Sequence, residues 1–148
     1  MGTSYAGRNS PSEAVDGVGY FVMTIYHETI EAYAAAISAM DPDAFAACFA
    51  ADCELNDPAG SPTVRGQEGA KAFLRGFLPI LSKVQFQPGT VRTGGSRAAF
   101  TWTIQAEGKA GQLGTADGID VVEFDEAGKI VRTHAFWNPG QLVAALTA

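Results

Sequence analysis

The stretch Cys53-Glu54-Leu55-Asn56-Asp57-Pro58-Ala59-Gly60-Ser61 reads as a short strand that ends in an acid. Side chains alternate along an extended chain, so Cys53, Leu55 and Asp57 share one face while Glu54 and Asn56 take the other. Asp57 therefore points where the apolar side chains point. Pro58 disfavours a helical Asp57, and Pro58 with Gly60 turns the chain away. A carboxylate aimed inward is costly unless it is paired or used. The plainer alternative is a turn acid bonded to its own backbone, as Asp before Pro often is.

Upstream of this strand, Tyr26, Ile30, Tyr33, Ile37 and Met40 recur at spacings of three and four. That stripe predicts a helix over roughly residues 20 to 39, with Tyr33 in its middle. A tyrosine in such a stripe is ordinarily core, its hydroxyl at a surface or on backbone. Asp41-Pro42-Asp43 opens a second helix, with Asp41 as cap, Pro42 in the first turn and Asp43 at the positive end. Phe45, Cys48 and Phe49 form its buried side, and it is expected to run to about Ala51-Asp52. Downstream, Thr63-Val64-Arg65 predicts a brief strand. A third helix follows from Gly66, with Ala70, Phe73, Leu74 and Phe77 inward, and Pro79 ends it.

The second half changes period from helical to alternating. Val84 to Thr93 reads as a strand broken at Pro88-Gly89. Ala98, Phe100, Trp102 and Ile104 alternate with polar or small residues in the next strand. A long strand covers roughly 113 to 124, a last one runs from Lys129 to Trp137, and residues 141 to 148 can close as a short helix. Helices first and antiparallel strands after predict an α+β fold. In it, three N-terminal helices cover a curved, mixed but mainly antiparallel sheet and enclose a cone-shaped pocket. Residues 1–18, rich in Gly, Ser and small polar side chains, are expected to form a flexible extension, and 19–148 a single domain.

The composition removes several function classes. The net charge is −6, with no basic stripe, which disfavours nucleic acid and acidic membrane as partners. No apolar run is long enough to cross a bilayer, and the N-terminus lacks a signal pattern. Cys48 and Cys53 lie in apolar surroundings without metal-ligand spacing to His27 or His134. They are read as reduced packing residues of a cytoplasmic protein, and the two histidines as structural or exposed.

A second acid stands out on the long strand. Gly118, Asp120, Val122 and Phe124 share one phase, and Ile119, Val121 and Glu123 the other. An aspartate on the apolar face of a strand would have its pKa raised by desolvation and could be a neutral donor near pH 7. The alternative is an exposed acid, or one paired with a residue such as Arg132.

These residues resemble one family. Tyr33-Ala34-Ala35-Ala36-Ile37, Asp41-Pro42-Asp43-Ala44-Phe45, Asn56-Asp57-Pro58-Ala59-Gly60-Ser61, Gly118-Ile119-Asp120 and Ala127-Gly128-Lys129-Ile130-Val131 follow the pattern of bacterial ketosteroid isomerases (steroid Δ5-isomerases). That family has the nuclear transport factor 2-like, SnoaL-like fold. The resemblance covers roughly residues 28 to 138. It implies Asp57 as general base and Tyr33 with a protonated Asp120 as hydrogen-bond donors to the ketone oxygen during dienolate formation, the established chemistry of that family. It implies no metal, nucleotide or redox cofactor, a small hydrophobic substrate such as a steroid or fused-ring ketone, and a homodimer. Phe49, Phe77, Trp102, Val122 and Trp137 are the expected apolar lining, Trp137 matching a place where the family carries an aromatic. One departure is clear: the family often has a second tyrosine supporting the first, and Leu74 stands there. Tyr26 is the available substitute. Other readings of the same fold are a polyketide cyclase-like enzyme and a non-catalytic binding protein. An epoxide hydrolase relative would need an Asp-Arg-Asp set, and no Arg is clearly inward.

Overall fold

Chain order sets the layers: helices first, then a meander of long strands. A computed structural model describes the backbone from Gly17 to Ala148 and the side chains from Met23 onward. The expected extension over residues 1–18 therefore lies outside the described residues except at Gly17 and Val18, which already belong to a helix. The elements are α1 (Gly17–Ser38), α2 (Pro42–Ala46), β1 (Phe49–Asn56), β2 (Val64–Arg65), α3 (Gly66–Phe77), a 3-10 turn (Leu78–Ile80), β3 (Lys83–Gly94), β4 (Arg97–Glu107), β5 (Leu113–Phe124), β6 (Ile130–Phe136) and α4 (Pro139–Leu146).

The strands form one six-stranded sheet in the order β2-β1-β6-β5-β4-β3. All neighbours are antiparallel except β1 and β6, which run parallel. The alternation read from the sequence holds along β4, where Ala98, Phe100, Trp102, Ile104 and Ala106 are all buried. The break expected at Pro88-Gly89 is a register shift in the β3–β4 ladder between Pro88 and Val91. An irregularity of this kind bends and twists the strand. The bent sheet carries α1 against β3, α3 against β1 and α4 against β5. Ser38 at the end of α1 accepts the Phe86 N–H (2.9 Å), which ties that helix to β3.

Helix α2 begins as read: Asp41 accepts the Ala44 N–H at 3.1 Å and Pro42 occupies the first turn. It ends sooner, at Ala46, and β1 begins at Phe49 rather than after Asp52. Phe49 and Ile130 are partners in the parallel ladder, and pairing with a distant strand overrides the local i, i+3, i+4 pattern of Phe45, Cys48 and Phe49. Downstream, Cys53 and Leu55 are buried as expected. Both cysteines are free and buried.

The core sits between the inner face of the sheet and the helices, with Ile30, Phe45, Phe49, Leu55, Phe100 and Ile130 almost fully enclosed. Leu113, in contrast, is 78% exposed. Leu55→Ala is expected to destabilise by about 2–5 kcal/mol, read as a lower urea midpoint at unchanged slope. Leu113→Ala should stay within about 0.5 kcal/mol of wild type in the same measurement.

Candidate active site

Asp57 follows the last residue of β1, and its position is set from across the sheet. The turn after it is anchored where Ala59 N–H donates to the Ala135 carbonyl at 2.6 Å. Ala135 is the register partner of Asp120 on β5. One residue of β6 thus connects the end of β1 to the middle of β5. The Asp57-Pro58 peptide is cis, and Ser61 Oγ–H donates to the Pro58 carbonyl at 2.5 Å within the same turn.

Tyr33, Asp57 and Asp120 line one cavity with predominantly apolar walls. Its other walls come from Phe73 and Phe77 of α3, Phe86 and Trp102 of the sheet, Trp137, and Leu142 and Leu146 of α4. Among the lining residues there is no Lys, Arg or His. Phe77 packs on Trp137 (centroids 6.3 Å), and Trp137 meets Trp102 edge-on (5.3 Å, 76°). Tyr33 is enclosed by Phe45, Phe49, Phe86 and Phe100 at 5.3–6.3 Å. Phe49 and Val122, expected in the lining, are not there; both are 1% exposed and belong to the packed core. Pointing inward does not distinguish core from cavity wall. Leu142 and Leu146, which do line the cavity, carry no signal beyond ordinary helix apolarity.

Each carboxyl has its own indole. Trp137 Nε1–H donates to Asp57 Oδ1 at 2.7 Å. Trp102 Nε1–H donates to Asp120 Oδ1 at 2.8 Å, and Tyr33 O–H donates to Asp120 Oδ2 at 3.2 Å. Asp120 is 1% exposed, whereas Asp57 is partly buried. Asp120 is thus neither solvated nor paired with Arg132, which instead bonds Glu54 and Glu123 on the outer face. Burial raises Asp57 to about 6 against the pull of the Trp137 bond. Burial, then the nearby Asp57 charge, raises Asp120 to about 7, against the Trp102 and Tyr33 bonds. Tyr33 is held well above its ordinary value by burial and by the two acids, so it remains a neutral phenol.

Tyr26 does not take the place of the second tyrosine. It stacks flat on Phe124 (4.1 Å, 9°) and lies off the cavity, while Leu74 lines it with no donor to offer. His27 bonds the Met23 carbonyl, and His134 lies 3.5 Å from the Asn56 amide, both off the cavity. Among the described residues no three His, Cys, Asp or Glu side chains gather as a metal site, and no helix is long and apolar enough to cross a membrane.

The SnoaL-like domain profile matches residues 30–133, which spans α1 to β6. The chain belongs to the SnoaL-like family. It is 33% identical over 111 residues to a steroid Delta-isomerase of Nocardioides simplex, covering 75% of this chain and 88% of the relative. Two solved structures share the fold. The epoxide hydrolase/cyclase-like enzyme SalBIII has a TM-score of 0.70 at 18% identity, over 80% of this chain and 95% of the other. An NTF2-like protein of Burkholderia pseudomallei has a TM-score of 0.70 at 19% identity, over 84% and 98%. The SnoaL-like fold, a curved sheet with helices closing its concave side, is the scaffold on which the two acids are brought together.

Raised acid pKa values carry a stability consequence of definite sign. The folded state holds protons on Asp57 and Asp120 that the unfolded chain releases near pH 4. Their contribution is fully present below about pH 4 and is lost as pH rises through about 6 and about 7. Urea unfolding at a series of pH values should show stability falling between about pH 4 and about pH 8. Asp120→Asn should flatten most of that fall and exceed wild type at the alkaline end. A wild-type profile that is flat across the range would remove the basis for this reading of burial.

Proposed function

We propose that the protein isomerises β,γ-unsaturated 3-ketosteroids, or closely similar fused-ring ketones, to their conjugated isomers. The observation that carries this reading is the placing of Asp57 and the Tyr33–Asp120 pair on one apolar cavity. The similarity to a steroid Delta-isomerase supports it.

In this reading Asp57, as carboxylate, removes a proton from the carbon between the ketone and the double bond. The electron pair moves through the double bonds onto the ketone oxygen, giving a dienolate. Tyr33 O–H and the protonated Asp120 donate hydrogen bonds to that oxygen. Asp57 then returns its proton two carbons further along, so the carbon–carbon double bond moves into conjugation and nothing is gained or lost overall. Donors in a dry site are worth more than in water and need no reorganisation when charge develops on the oxygen. A base partly buried near one indole donor stays ionised close to neutral pH and is still basic enough to act.

Enone absorbance after mixing with a β,γ-unsaturated 3-ketosteroid tests the reaction directly. Asp57→Asn should lower kcat by about 10²–10⁴-fold with the fold retained, and Tyr33→Phe by about 10²–10³-fold with smaller change in steroid binding. A protein that binds the steroid and gives no absorbance rise above buffer is a binding protein, and the isomerase reading fails. The kcat/KM profile should rise with pH through about 6 as Asp57 ionises and fall through about 7 as Asp120 loses its proton.

A further inference from the structure

Asp120 is contacted from two sides by groups of unlike hydrogen-bonding ability. Trp102, on β4, reaches Oδ1 at 2.8 Å, and Tyr33, on α1, reaches Oδ2 at 3.2 Å. An indole N–H can donate and cannot accept. The oxygen beside it must therefore accept, whether Asp120 is ionised or neutral. When Asp120 carries a proton, placing it on Oδ1 would leave the Trp102 N–H facing a hydroxyl oxygen, a poorer acceptor than the carbonyl oxygen. The Trp102 bond therefore favours the proton on Oδ2, beside the Tyr33 hydroxyl. A tyrosine at the same place would give no such constraint, because a phenol oxygen both donates and accepts.

The indole reaches Asp120 because of the residue opposite. Trp102 and Gly118 are register partners on β4 and β5. A Cβ on Gly118 would stand 2.5 Å from Trp102 Cζ2 and 2.9 Å from Cε2, so the bare backbone leaves room for the ring to lie across it toward Asp120. The ring is held on its other sides by Phe86 (5.0 Å) and Trp137 (5.3 Å). Trp102 is 3% exposed.

We propose that Trp102 is a positioning residue for Asp120: its N–H fixes Oδ1 as the acceptor and Oδ2 as the proton-bearing oxygen, so that the acid and Tyr33 present their hydrogens side by side. It supplies, from the sheet, the support that Leu74 on α3 cannot give. This assignment rests on the isomerase reading for its kinetic consequence, but the placement of the proton does not.

Two measurements test it. The titratable groups that face Asp120 are Tyr33 from α1 and Asp57 from the end of β1, while Ala135, its partner on β6, has none. Trp102→Phe keeps an aromatic ring in the space but removes the N–H together with part of the indole's volume. The alkaline limb of the pH–rate profile, which lost packing alone would not move, is therefore the deciding readout. With the steroid substrate, kcat should fall about tenfold or more with KM within about threefold of wild type. The alkaline limb of the rate profile should move to higher pH, because the lost donor favoured the ionised acid. A residue that merely filled space would lower stability without moving that limb, and an unchanged kcat and limb overturn the assignment. The second measurement needs no substrate. The chain has two tryptophans, so its indole N–H spectrum holds two resonances, told apart by the Trp102→Phe variant. The Trp102 resonance should shift with pH through about 7 as Asp120 ionises, and should cease to do so in Asp120→Asn. A Trp102 resonance that is flat over that range overturns the proposal. If wild type fails on the steroid, the isomerase reading fails alone, and the indole titration still decides for or against Trp102.

Discussion

Two carboxyl groups share one apolar cavity with no cation on its walls, and the site follows from that constraint. Leaving a carboxylate unpaired in a dry place is costly, and the common remedy is a neighbouring Arg or Lys. Here no cation lines the cavity, and two arginines are paired on the other face of the sheet. Arg65 and Arg132 bond Glu54, and Arg132 also bonds Glu123. Strand alternation does the sorting, because Glu54 and Glu123 stand one residue out of phase with the inward positions. Such exposed pairs contribute little stability. Their consequence is that positive charge stays out of the cavity. An inward Arg would hold both acids ionised, and neither could then act as a neutral donor.

What remains inside are donors that carry no charge: two indoles and a phenol. They offset part of the burial cost of the acids without deciding their protonation outright. The fold delivers them from separate elements, Tyr33 from α1, Trp102 from β4 and Trp137 beyond β6. The long β4–β5 ladder and the Ala59–Ala135 bond hold these elements in register. Precision at the site is therefore inherited largely from backbone pairing.

The parts of this arrangement that follow a simple period were legible in the sequence. The inward phase of Asp57 with Cys53 and Leu55, and of Asp120 with Val122 and Phe124, needed only alternation. The α+β order was legible in the change from helical to alternating period, and the break in the Pro88-Gly89 pair itself. The helix–strand boundary near Phe49 was not legible, because Phe45, Cys48 and Phe49 fit a helical stripe, and only pairing with Ile130 on β6 decides otherwise. The lining was half legible: Phe77, Trp102 and Trp137 reach the cavity, whereas Phe49 and Val122 are sealed behind it. The Trp102 N–H was beyond reach altogether. Its direction depends on Gly118 on the facing strand, a pairing that no local pattern announces.

The order in which the two acids titrate depends on burial rather than on the number of donors. Asp120 accepts two hydrogen bonds and Asp57 one, which by itself would make Asp120 the stronger acid. The reverse holds, about 7 against about 6, since Asp120 is almost fully enclosed and also faces the charge on Asp57. The effect is self-reinforcing: once Asp57 ionises, its charge opposes ionisation of Asp120. Burial thus favours the negative charge on Asp57 and the proton on Asp120. The proposed pairing of a base with a neutral donor therefore depends on one acid being more deeply buried than the other.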